Sequence, residues 1–274
     1  MDKPRLHQFL SKTGVFKSKR ELVFAVKNSE IMVNDKIITN LHYQFNPNKN
    51  KVCYKEKELQ AVGRKVYVIV NKPAGYLSSR LTSNDQKLGK KSIFSLFDKD
   101  KNLDEQTRKT LFCAGRLDEN TSGLIIITND GALGSLITRP ESNITKTYGA
   151  VLEKPIDSVA AKEIEKGVVI KLEENGVISE YKTKPCKITL LDNNTANNNK
   201  NNDAAAARNN NVRNKVIIEV IEGKKREVRR IFEAVRNKVK ELKRISIGKI
   251  RLDELGIKEG GYLFVDNEYI SGMI

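Results

Sequence analysis

The stretch with the clearest capacity for chemistry is residues 115–131, GRLDENTSGLIIITNDG. It sets a carboxylate, Asp118, on a polar turn that leads directly into an apolar run at residues 124–127. An uninterrupted run of leucine and isoleucine between turn residues indicates a strand buried on both faces, at the centre of a sheet. Such a strand supports the turn rigidly, and a carboxylate held in this way can act as a nucleophile or as a general acid or base.

The loop composition alone leaves two other interpretations of Asp118 open. Aspartate is common in turns because its side chain hydrogen-bonds the local backbone, with no catalytic role. The segment from Asp118 to Gly123 also fits the first half of a calcium loop, with candidate ligands Asp118, Asn120 and Ser122. The closing position is Asn129, where that loop needs a bidentate glutamate, so calcium is disfavoured.

Two further segments carry polar side chains that could act with Asp118. In ITKTYGAVL, residues 144–152, strand alternation places Lys146 and Tyr148 on one face. In EGKKREVRRIFEAVRNKV, helical spacing separates an apolar face from a polar one. The apolar face contains Val228, Ile231, Phe232 and Val235, and the polar face contains Arg226, Arg229, Arg230 and Glu233. A core tyrosine and a solvated arginine face would explain the same patterns.

The net charge indicates the class of partner. The 274 residues include 50 Lys and Arg against 34 Asp and Glu, a formal net charge of +16. A surplus of this size favours RNA or another polyanion. No phosphate-binding G-x-x-x-x-G-K-[ST] stretch and no zinc-deaminase signature is present. The remaining chemistry is covalent or acid–base chemistry on RNA.

The composition also argues against a metal centre and a membrane location. Cys53, Cys113 and Cys186 are too widely spaced for a CxxC pair, so neither a zinc site nor a disulfide framework is favoured. No apolar run approaches the ~18 residues of a membrane span, and the polar N-terminus lacks a signal-peptide core. We therefore expect a cytoplasmic protein in a reducing compartment, not associated with membranes. We also expect a monomer.

The first 45 residues predict a small module of two short helices followed by a hairpin. Leu6, Phe9 and Leu10 form an apolar stripe, and Ser18 with Glu21 forms a capping box before a second helix. Short apolar runs then flank the turn residues 34–36. In this order RLHQFLSKTG, SKREL and VNDK resemble the ribosomal-protein-type (S4-like) RNA-binding module of many RNA-modifying enzymes. The resemblance implies an RNA-facing surface that contains Arg5, Ser18, Lys19, Arg20 and Lys27.

Two polar stretches lie in the rest of the chain. Residues 46–64, with NPNKNK and KEKE, read as the end of the module and a linker. Residues 193–214 are asparagine-rich and lack any hydrophobic period, which predicts a disordered insert between two strands. We therefore predict an S4-like domain over residues 1–60 and a catalytic domain over residues 61–274.

Five motifs together resemble one enzyme family. NKPAG, GRLDENTSGLIIITNDG, KTY, EGKKREVRRIFEAV and LKRISIG occur in the order and spacing of the RsuA/RluB-type ribosomal RNA pseudouridine synthases. The resemblance covers nearly the whole chain outside the insert. It implies isomerisation of a uridine in folded RNA to pseudouridine, without cofactor or metal.

The resemblance also implies residue roles. Asp118 would be the catalytic carboxylate, attacking the anomeric carbon of the sugar or assisting departure there. Tyr148 would stack on the base and help to remove the proton from carbon 5, and Arg229 would pair with Asp118. Arg116 would fill the space left by the flipped nucleotide or hold that nucleotide. Val228 would form a wall of the pocket, and Lys146, Arg226 and Arg230 complete the predicted substrate-binding set.

The predicted fold class is α+β. We expect a catalytic domain with a mixed, largely antiparallel sheet and flanking helices, plus the small N-terminal α/β module. The expected substrate is ribosomal RNA, with transfer RNA as an alternative. Among family members, the motif REVRRIFEAV weakly favours those that modify RNA of the large ribosomal subunit. The rival function is a non-catalytic RNA-binding or ribosome-assembly protein on the same fold. The joint presence of Asp118, Tyr148 and Arg229 argues against that rival.

Overall fold

A computed structural model describes residues 3–16, 18–174, 176–191 and 214–274. The predicted insert at residues 193–214 lies outside the described residues, apart from residue 214. The α-helices are α1 Leu6–Ser11, α2 Lys19–Lys27, α3 Ser83–Lys87, α4 Glu105–Thr110, α5 Gly131–Thr138, α6 Ser158–Glu165, α7 Glu227–Ala234 and α8 Asn267–Met273. The strands are β1 Ile31–Val33, β2 Lys36–Ile37, β3 Val52–Tyr54, β4 Lys57–Glu58, β5 Tyr67–Lys72, β6 Tyr76–Leu77, β7 Lys91–Ser92, β8 Phe112–Ala114, β9 Ser122–Thr128, β10 Lys146–Leu152, β11 Val169–Glu174, β12 Val177–Lys182, β13 Lys187–Leu191, β14 Lys215–Val220, β15 Val239–Ile247, β16 Ile250–Arg251 and β17 Tyr262–Val265.

The chain divides into two compact units. The first contains Met1–Tyr67, Phe97–Phe112 and Ile127–Gly131, and the second contains Val68–Leu96, Cys113–Ile126 and Ala132–Ile274. The first unit thus includes two segments from beyond residue 61 in addition to the N-terminal module. The domain division after residue 60 stays a prediction.

The N-terminal module has the expected two helices and hairpin. Helices α1 and α2 contribute Leu6, Leu10 and Val26 to a core that also includes Ile31 of β1. The hairpin between β1 and β2 closes through Asn34 and Asp35, which both have positive φ. That conformation matches the twist of two-residue hairpins, and Asn and Asp tolerate it better than most residues do.

Residues 46–64, predicted as the end of the module and a linker, contain two strands that the sequence pattern did not indicate. Strands β3 and β4 lie there and complete an antiparallel sheet in the order β2-β1-β3-β4. Val52 and Cys53 are buried, whereas the strand partners at Lys57 and Glu58 are exposed. Because β4 is two exposed residues long, its sequence carries no apolar period to reveal it.

The second unit is built on the larger sheet. Its strand order is β13-β14-β10-β15-β9-β5-β17, with β16 also paired to β15 and β8 to β9. The pairings of β10 with β14 and β15, and of β13 with β14, are antiparallel, whereas β9 runs parallel to β15. The sheet is therefore mixed and largely antiparallel, and the α+β prediction is confirmed.

Two features of this sheet position the candidate site. The predicted central strand, β9, is fully buried at residues 124–127. Helix α7 packs its apolar face, with Val228, Ile231 and Phe232, into a core shared with β10, β14 and α6. No helix in the described part of the chain is long and apolar enough to cross a membrane.

Candidate active site

A cavity of about 130 Å³ opens within the second unit. Its walls come from the turn before β9, from β10 and β15, and from the segment that joins β14 to α7. Six of the residues predicted from sequence line it, namely Arg116, Asp118, Lys146, Tyr148, Arg226 and Val228. The structure thus brings residues from three separate segments of the chain to one place.

The turn that carries Asp118 is held through its backbone. The Thr121 amide donates to the Asp118 carbonyl at 3.1 Å. The Ser78 hydroxyl accepts from the Leu117 amide at 3.2 Å and donates to the Leu117 carbonyl at 2.8 Å, so it fixes the peptide groups before Asp118. The Gly75 amide donates to the Glu119 carbonyl at 2.8 Å. These hydrogen bonds leave the turn little freedom to move. Asp118 itself is half-buried.

A buried lysine also holds the turn that carries Asp118. The Lys72 ammonium donates to the carbonyls of Thr121, Pro73 and Glu119 at 2.8, 2.9 and 3.1 Å. Burial lowers the pKa of Lys72 to about 8, and the negative charges of Asp118 and Glu119 oppose that shift. Lys72 was not among the residues predicted from sequence, although it belongs to the NKPAG stretch.

Tyr148 lies on β10 beside an arginine that the sequence analysis did not select. Arg244 on β15 is the direct strand partner of Tyr148, and its Nη1 lies 3.5 Å from the Tyr148 hydroxyl. The Arg244 guanidinium also lies 6.0 Å from the centre of the Tyr148 ring. Both side chains line the cavity with Asp118.

Arg244 is almost fully buried, with 2% of its surface exposed. Its Nε donates to the Leu124 carbonyl at 2.6 Å, and its Nη2 has no hydrogen-bond partner among the described residues. Gly123 of β9 pairs with Arg244, where an added Cβ would lie 2.2 Å from the Arg244 carbonyl oxygen. The glycine therefore permits the close approach of β9 to β15 that brings Arg244 beside the Asp118 turn.

The predicted direct pairing of Arg229 with Asp118 is absent from the ion pairs of the described residues. The Arg229 guanidinium donates to the carbonyls of Asn120 and Val239, each at 2.9 Å. Burial lowers the pKa of Arg229, with Arg226 adding to the shift and the charge of Asp118 opposing it. Arg229 is thus buried, and it holds the Asp118 turn by donating to the backbone carbonyl of Asn120. Its position in the helical period had predicted that it lies on the polar face of α7.

The other predicted substrate-binding residues differ in position. Lys146 is buried, its ammonium donates to the Ile144 carbonyl at 3.2 Å, and its pKa is lowered by burial and then by Arg244. Arg116 and Arg226 are exposed at the cavity rim, and Arg226 has a positive φ at the N-cap of α7. Arg230 does not line the cavity, and its Nη1 donates to the Lys225 carbonyl, so its role in substrate binding stays a prediction.

A pair of buried carboxyl groups adjoins the cavity and was not anticipated. Glu227 lines the cavity, accepts from the Lys224 amide at 3.0 Å and hydrogen-bonds Glu222. Glu222 in turn accepts from the Tyr181 hydroxyl and from the Lys184 amide. Burial and the neighbouring Glu222 raise the pKa of Glu227, while Lys146 opposes the shift. Alternation and helical periods cannot reveal such a pair, because it forms between a strand end and a helix start.

The residues predicted to face RNA in the N-terminal module lie at its surface. Arg5, Ser18, Lys19, Arg20 and Lys27 are all exposed. Ser18 is also the N-cap of α2, where its hydroxyl accepts from the Glu21 amide at 3.1 Å. The described residues contain no group of three or more His, Cys, Asp or Glu side chains that could hold a metal ion.

Comparison with known proteins places this fold and cavity in one family. The model of the RNA pseudouridylate synthase family matches residues 66–234. The chain belongs to that family. It is an RNA pseudouridine synthase, an isomerase, and the prediction of this activity from the five motifs is confirmed.

Relatives extend the similarity over nearly the whole chain. An uncharacterized RNA pseudouridine synthase of Aquifex aeolicus is 32% identical over 253 residues, which are 92% of this chain and 86% of that one. The ribosomal small subunit pseudouridine synthase A of Vibrio vulnificus is 29% identical, with 98% and 99% of the two chains covered. A crystal structure of a pseudouridylate synthase superposes with a TM-score of 0.62 at 26% identity and covers 98% of this chain and 99% of that one.

Proposed function

We propose that this synthase modifies a uridine of ribosomal RNA and that Asp118, Tyr148 and Arg244 form its catalytic centre. The observation that carries the assignment is the shared cavity, in which a carboxylate on a fixed turn, a tyrosine and a buried arginine meet. In this proposal Arg244 is the arginine that acts with Asp118, a role that the resemblance had implied for Arg229. Arg229 and Lys72 act as positioning residues, because they hold the backbone of the turn rather than the carboxylate.

The proposed reaction starts with a carboxylate attack. A carboxylate oxygen of Asp118 bonds to the anomeric carbon of the uridine sugar, and the bond from that carbon to N1 of uracil breaks, leaving its electron pair on the base. The uracil turns within the cavity, and its carbon 5 bonds to the anomeric carbon while the Asp118 carboxylate leaves. Carbon 5 then loses its proton and N1 gains one, so no redox partner is needed.

Tyr148 and Arg244 suit the later part of this sequence. The half-buried Tyr148 ring offers a flat surface on which the free uracil can stack as it turns. Arg244 lies against the tyrosine hydroxyl and fixes its direction, so that the oxygen can accept the proton from carbon 5 while its own hydroxyl proton passes to solvent. The unpaired Nη2 of Arg244 is the donor that we assign to the Asp118 carboxylate once substrate is bound.

A uridine must leave the RNA stack to reach the cavity. Extrusion of a base costs a few kcal/mol, which contacts elsewhere along the RNA can offset. The exposed Arg116 and Arg226 at the rim are suited to bind phosphates or to fill the gap in the stack. The buried Lys146 and Val228 are suited to contact the base itself.

Ribosomal RNA is proposed as the substrate on the strength of the relatives' names. The synthase of Vibrio vulnificus is named for the small ribosomal subunit, which favours that subunit over the large one to which REVRRIFEAV leans. We further propose that residues 1–60 form an RNA-binding domain acting through Arg5, Ser18, Lys19, Arg20 and Lys27, and that the enzyme is a cytoplasmic monomer.

The proposal is tested by tritium release from RNA labelled at carbon 5 of uracil. Unmodified small-subunit, large-subunit and transfer RNA are each incubated with the wild type and with Asp118→Asn, which keeps the shape of the side chain and removes its charge. Release from small-subunit RNA by the wild type alone would support the reaction, the substrate and the nucleophile. Release by both proteins would exclude Asp118 as nucleophile, and release confined to transfer RNA would exclude the ribosomal substrate.

A further inference from the structure

Helix α2 of the N-terminal module exposes a large aromatic side chain. Phe24 has 62% of its surface accessible, while Leu22, Ala25 and Val26 on the opposite face of α2 are buried in the module core. The core therefore does not use Phe24. A single exposed apolar residue is ordinary by itself, so what surrounds it decides its meaning.

The neighbours of Phe24 on the helix surface are two cations and one carboxylate, Glu21, which lies three residues before it. Arg20 lies four residues before it and Lys27 three residues after it, and these spacings place all three side chains on one face. Both cations are exposed, and neither forms an ion pair with a carboxylate of the described residues. Lys19 adds a third exposed positive charge at the start of the helix. An aromatic ring therefore lies within a patch of available positive charge.

We propose that Phe24 stacks on an unpaired base of bound RNA while Arg20 and Lys27 contact the flanking phosphates. This inference rests on the proposed function, because it takes RNA as the partner of the module. Basic surfaces with interleaved aromatic rings bind single-stranded nucleic acid, since every base offers a flat face to a ring. Paired bases inside a duplex do not offer that face. The helix accordingly recognises an unpaired nucleotide, such as one in a loop or bulge.

The charges also indicate whether RNA or a second copy of the chain binds the face of α2 that contains Phe24. Two copies joined through this face would bring two sets of Arg20 and Lys27 together, and like charges repel. A polyanion meets the same face with attraction. The occupant that the patch favours is therefore RNA.

Binding measurements with the full-length chain test the stack directly. Phe24→Ala should weaken binding of a single-stranded RNA oligonucleotide by about tenfold and leave binding of an RNA duplex of the same length unchanged. The salt dependence of binding should also stay unchanged, because a ring makes no ionic contact. Val159→Ala is the matched control, since Val159 is an exposed apolar residue on helix α6 and should have no effect on either RNA.

Fluorescence gives a second readout that does not depend on a loss of binding. The chain contains no tryptophan, so Phe24→Trp and Val159→Trp each introduce a single tryptophan, whose emission is excited selectively at wavelengths that the eight tyrosines do not absorb. A tryptophan that stacks on a base loses emission. Single-stranded RNA should therefore quench the variant at position 24 and not the variant at position 159.

Any one of four results would contradict the proposal that Phe24 stacks on an unpaired base. These are unchanged single-strand affinity in Phe24→Ala, an equal loss for the duplex, equal quenching at positions 24 and 159, and emission at position 24 that changes with protein concentration in the absence of RNA. The last of these would identify a contact between two copies. Tritium release by the wild type is measured alongside, so that loss of the reaction and loss of the stack are seen separately.

Discussion

Tyr148 and Arg244 are cross-strand partners, with their Cα atoms in register between β10 and β15 and Nη1 of the arginine 3.5 Å from the tyrosine hydroxyl. The same guanidinium donates through Nε to the Leu124 carbonyl on β9. One side chain thus links the proposed proton acceptor to the strand that follows Asp118. Its rigid planar group fixes the directions of both contacts, which the ammonium on a flexible lysine stem does not.

Replacing Arg244 with lysine should therefore remove activity while leaving RNA binding largely intact. Lysine keeps the charge but loses the rigid fork whose Nε and Nη1 reach the Leu124 carbonyl and the Tyr148 hydroxyl in fixed directions. Loss of one donor that is fixed at a reacting centre typically lowers kcat by about 10²-fold or more. Single-turnover tritium release at saturating RNA measures this effect. Lys243→Ala, at the adjacent exposed residue of β15, is the control and should release tritium at the wild-type rate. A wild-type rate in Arg244→Lys would remove Arg244 from the catalytic centre.

Arg229→Lys should act mainly on stability. Arg229 reaches the Asn120 and Val239 carbonyls from two separate nitrogens, whereas lysine has one, and each buried carbonyl left unsatisfied costs about 1–3 kcal/mol. We expect the melting temperature to fall by several degrees and kcat, measured well below the melting temperature, to fall less than in Arg244→Lys. Circular dichroism and tritium release on the same preparations separate the two effects. An unaltered melting temperature together with a loss of kcat as large as that of Asp118→Asn would restore Arg229 as the direct partner of Asp118.

The sequence allowed prediction of those parts of the site whose signal is local. The apolar run after Asp118 identified β9, and alternation along β10 placed Lys146 and Tyr148 on one face. In the N-terminal module, the helical periods and the Asn34–Asp35 turn identified α1, α2 and the first hairpin. Each of these signals comes from residues a few positions apart, where local geometry alone fixes which side chains share a face.

The observed contacts of Arg244 and Arg229 could not be predicted because they depend on tertiary structure. Arg244 reaches the cavity only because β15 lies between β10 and β9, two strands that are distant from it in sequence. Arg229 occupies a helix position that its period assigns to solvent. It is buried because two backbone carbonyls outside α7 accept its hydrogen bonds. A charged residue in a periodic pattern reads as surface unless its tertiary partners are known.

The buried carboxyl pair should make stability depend on pH. The pKa of Glu227 is raised from 4.5 to about 7, so between these values the folded state holds a proton there that the unfolded state has released. Stability therefore falls as pH rises through this window. Glu227→Gln keeps the hydrogen-bonding capacity and has no proton to lose. Its free energy of unfolding relative to the wild type should increase between about pH 5 and about pH 8, by an amount that the raised pKa sets.

Urea unfolding at both pH values measures this difference. The other titratable groups that face Glu227 are Glu222, Lys146 and Cys186, with Tyr181 reaching it through Glu222. Glu163→Gln, at an exposed position of α6, is the control and should show no pH-dependent gain. A stability difference between Glu227→Gln and the wild type that does not change between the two pH values would show that Glu227 is not held protonated in the folded state.

The basic residues of α2 should contribute a measurable share of the salt dependence of RNA binding. Each phosphate contact releases about 0.7 counterions for a single strand and about 0.9 for a duplex. Replacing Lys19, Arg20 and Lys27 together with alanine should make the slope of log Kobs against log salt shallower by about 2 for single-stranded RNA. Anisotropy titrations of a labelled oligonucleotide over a range of salt concentrations give this slope. The control replaces three exposed lysines elsewhere, Lys162, Lys166 and Lys171, and so changes the net charge by the same amount. Because net charge affects both variants equally, a shallower slope in the α2 variant alone locates phosphate contacts on this helix, and equal slopes in the two variants would exclude them.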